Sequence, residues 1–190
     1  MRMYQALILF LGLAFNEFVV MMNKGATLAN LSVGKRVGYG LIITAVNALA
    51  LLAGYALSVA FKGILSSSGT IAAAYLILFC MGIFITVHAY YRRDTVEKLD
   101  REFDNMQCLI LSLKNAYGIL LVGAGCFLLG VSLPNALCLS SVMSFIFMVG
   151  ALDVGYRYGS TFSRTVGMTG GILIVIFTVL RFMQYIGFGG

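Results

Sequence analysis

Three polar side chains stand out because the residues around them are apolar. Asn16 and Glu17 sit side by side in the first apolar stretch, and Asn47 lies within the charge-free run 37–61. One carboxylate with two amide oxygens is a donor set for a hard or borderline cation such as Mn²⁺, which favours oxygen ligands. Polar groups inside a bilayer are costly and usually functional. At 1.5 Å per helical residue, Glu17 lies about 8 Å and Asn47 about 14 Å from the same membrane face, so the three could converge at one depth. The plainer reading is that the asparagines join helices by hydrogen bonds, while Glu17 is protonated or reaches the interface. Charge in lipid costs more than an amide, so Glu17 is the stronger functional candidate.

The remaining chemistry-bearing residues read as structural. Asp153 lies three residues from the end of its helix with Arg157 four positions on, the spacing of an interfacial ion pair. His88 stands beside Tyr90, Tyr91 and Arg92, as a residue of an interfacial belt does. Arg181 can snorkel outward and lies too far from Glu17 to pair with it. Cys80, Cys108, Cys126 and Cys138 have neither disulfide nor thiolate-metal spacing. Glycines at Gly34/Gly38, Gly63 and Gly167/Gly171 would let helices approach closely. There is no phosphate-cradling loop, no Ser/His/Asp set and no HExxH, so neither enzymatic activity nor a cofactor is expected.

The elements that must position these residues follow from composition. Of 190 residues, 61% are hydrophobic and 11% charged, with one proline. A soluble fold this apolar could not cover its own surface, so the excess must face lipid. The net charge of +6 does not point to nucleic acid, because the basic residues lie between apolar runs, where they act as topology signals. A spanning helix needs about 20 apolar residues. Charge-free runs, with Pro134-Asn135 dividing 115–152, predict six spans at 3–22, 38–61, 70–91, 113–132, 134–156 and 166–187. Alternate connections hold Lys24, Lys35, Arg36; Arg92, Arg93, Lys98, Arg101, Lys114; and Arg157, Arg164, while the opposite side holds Arg2, Lys62 and Arg181. That bias puts the basic connections in the cytosol and both termini outside. The N-terminal apolar run lacks a cleavage site and contains Glu17, so it reads as a retained helix.

The chain is then one membrane domain, 1–190, with three spans in 1–91, a charged linker at 92–112 and three spans in 113–190. Within the linker, Asp94 and Glu97 resemble a cap, and Val96, Leu99, Phe103, Met106 and Ile110 fall at helical spacing. This fits an amphipathic helix lying on the membrane, or equally a solvated linker. The halves echo one another: 8–14 resembles 119–125, and Gly54-Tyr55 resembles Gly155-Tyr156. With three spans each, the second half inserts upside down. The expected fold is therefore all-α, six transmembrane helices as two inverted three-helix repeats, an arrangement of many secondary transporters.

The stretch Leu11-Gly12-Leu13-Ala14-Phe15-Asn16-Glu17-Phe18, followed by Asn23-Lys24-Gly25-Ala26, resembles the first helix of the bacterial MntP-type manganese efflux pumps. The run from Gly40-Leu41-Ile42-Ile43 through Asn47 to Gly54 is similar to their second helix, and Gly155-Tyr156-Arg157-Tyr158-Gly159 with Gly170-Gly171-Ile172-Leu173 to their C-terminal end. The resemblance implies a six-helix exporter of Mn²⁺ in the bacterial inner membrane, its partners the lipid bilayer and a divalent ion, with room for a homo-oligomer or a membrane partner. It also implies an aspartate where this chain has Asn16, a glutamate where it has Asn47, and a further aspartate within two residues of Gly125. None of these positions is acidic here. Two outcomes follow: divalent-cation export through Glu17, Asn16 and Asn47, or a non-transporting scaffold or partner subunit with a degenerate site.

Overall fold

A computed structural model of the chain describes residues 3–28, 32–61, 67–91, 104–159 and 162–188. Seven helices order these residues: α1 (Met3–Thr27), α2 (Val33–Phe61), α3 (Ser67–Tyr91), α4 (Asn105–Asn115), α5 (Tyr117–Leu128), α6 (Leu133–Tyr158) and α7 (Ser163–Phe188). Oil offers no partner to a bare backbone N–H or C=O, so these apolar runs satisfy their backbones internally as helices. Five helices are long and apolar enough to cross a membrane, and the α4–α5 pair makes six when it counts as one bent span.

That fourth span departs from expectation. It begins at Asn105 rather than 113, breaks by 46° at Ala116 and ends at Leu128 rather than 132. Lys114 suggested a border, yet the apolar run Cys108–Leu113 precedes it, and the helix extends back to Asp104, whose side chain accepts from the Asn105 N–H. The helix stops early because Gly130 turns the chain at φ 72°. Its N–H reaches the Phe127 carbonyl and that of Val131 reaches Cys126, the paired bonds of a Schellman cap. Pro134 then starts α6 at a position that needs no N–H. The predicted amphipathic helix lies mostly outside the described residues. Met106 and Ile110 are exposed on α4, whose buried face is instead Cys108 and Ser112.

α1 is the hub of the bundle: half of its span is buried, against 28% for α3 and for α6. It packs on α6 and α7, while α2 packs on α5 and α6, and α3 on α7 and α5. Backbones approach most closely at two of the seams between helices. Gly25 and Gly155 bring α1 and α6 together against Leu152 and Met22, while Gly54 and Gly123 bring α2 and α5 together against Leu120 and Leu51. Gly167 and Gly171 do sit at close contacts, against Val19, Ala89 and Thr86. The expectation for Gly34 and Gly38 fails, because no described atom lies within 4 Å of where either Cβ would be. Small residues permit close approach only where a neighbouring helix crosses, and no described helix crosses there. Gly63 lies outside the described residues.

Two apolar clusters form the interior. One includes Leu13, Leu51 and Ala136, towards the end of the bundle where α1 begins. The other includes Met21, Ile43 and Met148, towards the end where α1 terminates and most of the described basic residues collect.

Candidate functional site

The layer between the two clusters is polar. Glu17 lies four residues from Leu13 and four from Met21 on α1, Asn47 four from Ile43 and four from Leu51 on α2, and Ser144 four from Met148 on α6. Residues four apart share a helix face, so each helix turns the same face inward and interrupts its apolar stripe at the same level. The three side chains meet there. The Asn47 amide donates to Glu17 Oε2 at 3.0 Å and to Ser144 Oγ at 3.1 Å, and the Ser144 hydroxyl lies 3.3 Å from the same Oε2. Glu17 is 2% exposed, Asn47 3% and Ser144 4%.

Both donors converge on one carboxylate oxygen. Glu17 Oε1 is buried and has no hydrogen-bond partner among the described residues. Leaving a buried acceptor unpaired costs about 1–3 kcal/mol, so this oxygen can take a further partner. Phe15 and Phe18 of α1 both pack edge-on against Phe147 of α6. Among the described residues no three His, Cys, Asp or Glu side chains gather as metal ligands would. A cation at this site would therefore meet one carboxylate, an amide and a hydroxyl.

Of the three residues expected to converge, Glu17 and Asn47 are brought together. Asn16 is half-buried outside their hydrogen-bonded group, with its backbone N near Gly170 of α7. One residue along a helix turns a side chain by about 100°, which separates it from Glu17. Ser144 is the residue sequence reasoning missed. Its signal was the serine cluster Ser140, Ser141 and Ser144 in a mostly apolar span, with Ser140 and Ser144 four apart on one face.

The ion pair expected of Asp153 and Arg157 forms. Arg157 Nε lies 3.1 Å from Asp153 Oδ2, and the carboxylate's other oxygen binds Arg36 of α2, a partner the sequence did not suggest. This pair ties α2 to α6 at the basic end of the bundle. His88 is exposed and stacks on Phe84, and Arg164 lies over the Tyr90 ring. The four cysteines are free.

Residues 30–181 match the protein family described as "Putative manganese efflux pump". The chain belongs to this family. A Bifidobacterium longum subsp. infantis protein named "Putative manganese efflux pump MntP" is 25% identical over 187 residues, covering 96% of this chain and 95% of its own length. Proteins of the same name from Desulfitobacterium hafniense and Methanosphaera stadtmanae are 23% and 20% identical, covering 94% and 98% of this chain and 93% and 100% of theirs. No solved structure matches. As a member of the manganese efflux pump family the chain is divergent in sequence, matches its relatives over nearly its full length, and is a multi-pass membrane protein.

Proposed function

We propose that this chain exports a divalent cation such as manganese across the cell membrane, and that the ion passes through the Glu17 layer. The single observation that carries this reading is the open Oε1 of Glu17, buried between two apolar clusters and flanked by Asn47 and Ser144. A lone ionised carboxylate is expensive in that setting, so the group either carries a proton or faces a cation. A site that can alternate between those two states is suited to exchange. Glu17 is the charged ligand or proton-coupled group in this scheme, and Asn47 and Ser144 supply neutral oxygens. Asn16 would join only if α1 rotated.

The topology of the proposal places both termini outside and the basic end in the cytosol. The two halves, 1–91 and 113–190, act as inverted repeats about this layer. What supports the repeat is the likeness of the two glycine seams: Gly25 and Gly155 between α1 and α6, Gly123 and Gly54 between α5 and α2. The echo of Gly54 with Gly155 fits that correspondence. The echo of 8–14 with 119–125 does not, since matching Gly25 to Gly123 sets Met21, not Ile8, against Ile119. Alternating access would then come from rocking one half against the other, opening one apolar cluster while the other stays shut.

A second reading rests on a specific observation: one carboxylate is little charge to offset the dehydration of a divalent ion. In that case the chain is a non-transporting family member that scaffolds a membrane partner. Manganese content of cells with and without the chain, measured under manganese load, separates the two. Export predicts lower content with the wild-type chain and loss of that effect in Glu17→Gln. Unchanged efflux in Glu17→Gln sinks the site assignment. No manganese phenotype, tolerance of Glu17→Ala and stable co-purification with another protein would establish the scaffold.

A further inference from the structure

The three helices that carry the Glu17 layer meet in two different ways. α1 and α6 are set backbone to backbone by Gly25 and Gly155. α2 meets α6 through side chains instead. A Cβ at Gly40 would first meet the Val149 and Phe145 side chains, at 3.0 and 3.3 Å, and deeper in the bundle Asn47 donates to Ser144 Oγ. Side chains can change rotamer and let go, whereas backbone held against backbone cannot. At its far end α2 is fixed to α5 by the Gly54 and Gly123 contacts. Its basic end, with α4 packed beside it, is the part that can swing from α6.

One ion pair spans that crossing. Asp153 divides its oxygens, Oδ1 to Arg36 on α2 and Oδ2 to Arg157 one turn on in its own helix. If α2 moves off, Asp153 keeps Arg157 and is not left as a bare charge. The Arg36 and Asp153 side chains are 21% and 31% exposed, so water can replace the bond between them. A pair shared and wetted in this way parts readily, whereas a sealed one resists. Along the helices Arg36 lies about 16 Å from Asn47, and Asp153 about 14 Å from Ser144. The buried Ile43 and Met148 belong to the apolar cluster that fills this interval. From the basic end inward, the α2–α6 crossing therefore runs from ion pair to apolar plug to polar layer.

We propose that Arg36 and Asp153 form a clasp that holds the α2–α6 crossing shut, and that its release opens the Glu17 layer to the basic end of the bundle. The clasp rests on the transport reading for its purpose, since a layer that never exchanged its contents would need no release. The two can still fail separately. Thiol labelling reads opening without manganese, so unchanged efflux in Glu17→Gln would sink the ion site and leave the clasp standing, while unchanged labelling would do the reverse.

Met148→Cys, in a full chain whose native cysteines are replaced by alanine, puts a single buried thiol in the apolar interval. A charged methanethiosulfonate reacts with thiolate, which forms where water reaches the sulfur, so its rate follows the open population. In purified protein in detergent, Arg36→Gln should raise that rate about fivefold, and Asp153→Asn by a similar factor. Arg157→Gln, which breaks only the bond within α6, should not raise it. Cationic and anionic reagents should agree, because a change of local charge alone speeds one and slows the other. Cys126, kept as the sole thiol in the cluster at the other end, should label at the wild-type rate in all three variants. Should Met148→Cys not fold, Ile43→Cys reads the same interval from α2. Unchanged labelling of the reporter in folded Arg36→Gln overturns the clasp. So does faster labelling at both ends, which is general loosening, or an Arg157→Gln effect equal to that of Arg36→Gln. Opposite shifts with the two reagents overturn it as well.

Discussion

The α1–α6 and α2–α5 crossings are built alike and used differently. Each brings two backbones together through a pair of glycines, Gly25 with Gly155 in one and Gly123 with Gly54 in the other. Beside the α2–α5 seam the polar side chains are spent on structure: the Tyr55 hydroxyl donates to the Val131 carbonyl, and Ser58 donates to the Ala124 carbonyl at 3.2 Å. Beside the α1–α6 seam, Glu17 and Ser144 bond to each other and to Asn47 and still leave a carboxylate oxygen open. Close backbone contact accounts for adhesion at both seams. Unsatisfied buried polar capacity is found among the described residues beside only one of them, and the proposed site rests on that difference.

Substitutions at the glycines should have the largest effect and should treat the seams as equals. A Cβ at Gly54 or Gly155 would run into the carbonyl of Leu120 or Met22, and backbone cannot move aside as a flexible side chain can. Gly54→Ala and Gly155→Ala should each lower stability by about 1–3 kcal/mol or more. Gly38→Ala, in open space, should hold or gain about 0.5–1 kcal/mol. Thermal unfolding in detergent reads all three, and a neutral Gly155→Ala would remove the α1–α6 seam from this account.

Function should break the likeness. Glu17→Gln, close in shape, should keep the fold and cut manganese efflux roughly 10–100-fold, the worth of one charged interaction of about 1.5–3 kcal/mol. Ser58→Ala, beside the other seam, should leave efflux at the wild-type level. If both variants transport alike, the difference between the seams has no functional meaning.

Smaller effects sharpen the picture within the polar layer. Asn47→Ala removes a donor to both Glu17 and Ser144 and should cost about 1–3 kcal/mol in unfolding. Ser144→Ala should cost about 0.5–1.5 kcal/mol, since Asn47 still serves the same oxygen. The smallest effect belongs to Asp153→Asn. Asp153 and Arg157 are partly exposed, so loss of the Arg36–Asp153–Arg157 group should cost no more than about 1 kcal/mol and should shrink further in high salt.

The sequence by itself determined the medium and the skeleton. Long apolar runs in a chain with few charges admit only helices in oil, and Glu17 announced itself because a carboxylate there is expensive. The i, i+4 pairing of Asp153 with Arg157 was equally legible, because both partners lie on one helix. Only the tertiary structure decided the rest: Ser144 and Arg36 as partners, the bend at Ala116, the exclusion of Asn16, and which glycines touch a backbone. The reason is physical. In a soluble helix the apolar stripe points to the core, but in a bilayer the lipid-facing and protein-facing sides are both apolar. Periodicity then carries little information about which face meets which neighbour, and long-range polar partners appear only once the helices are set side by side.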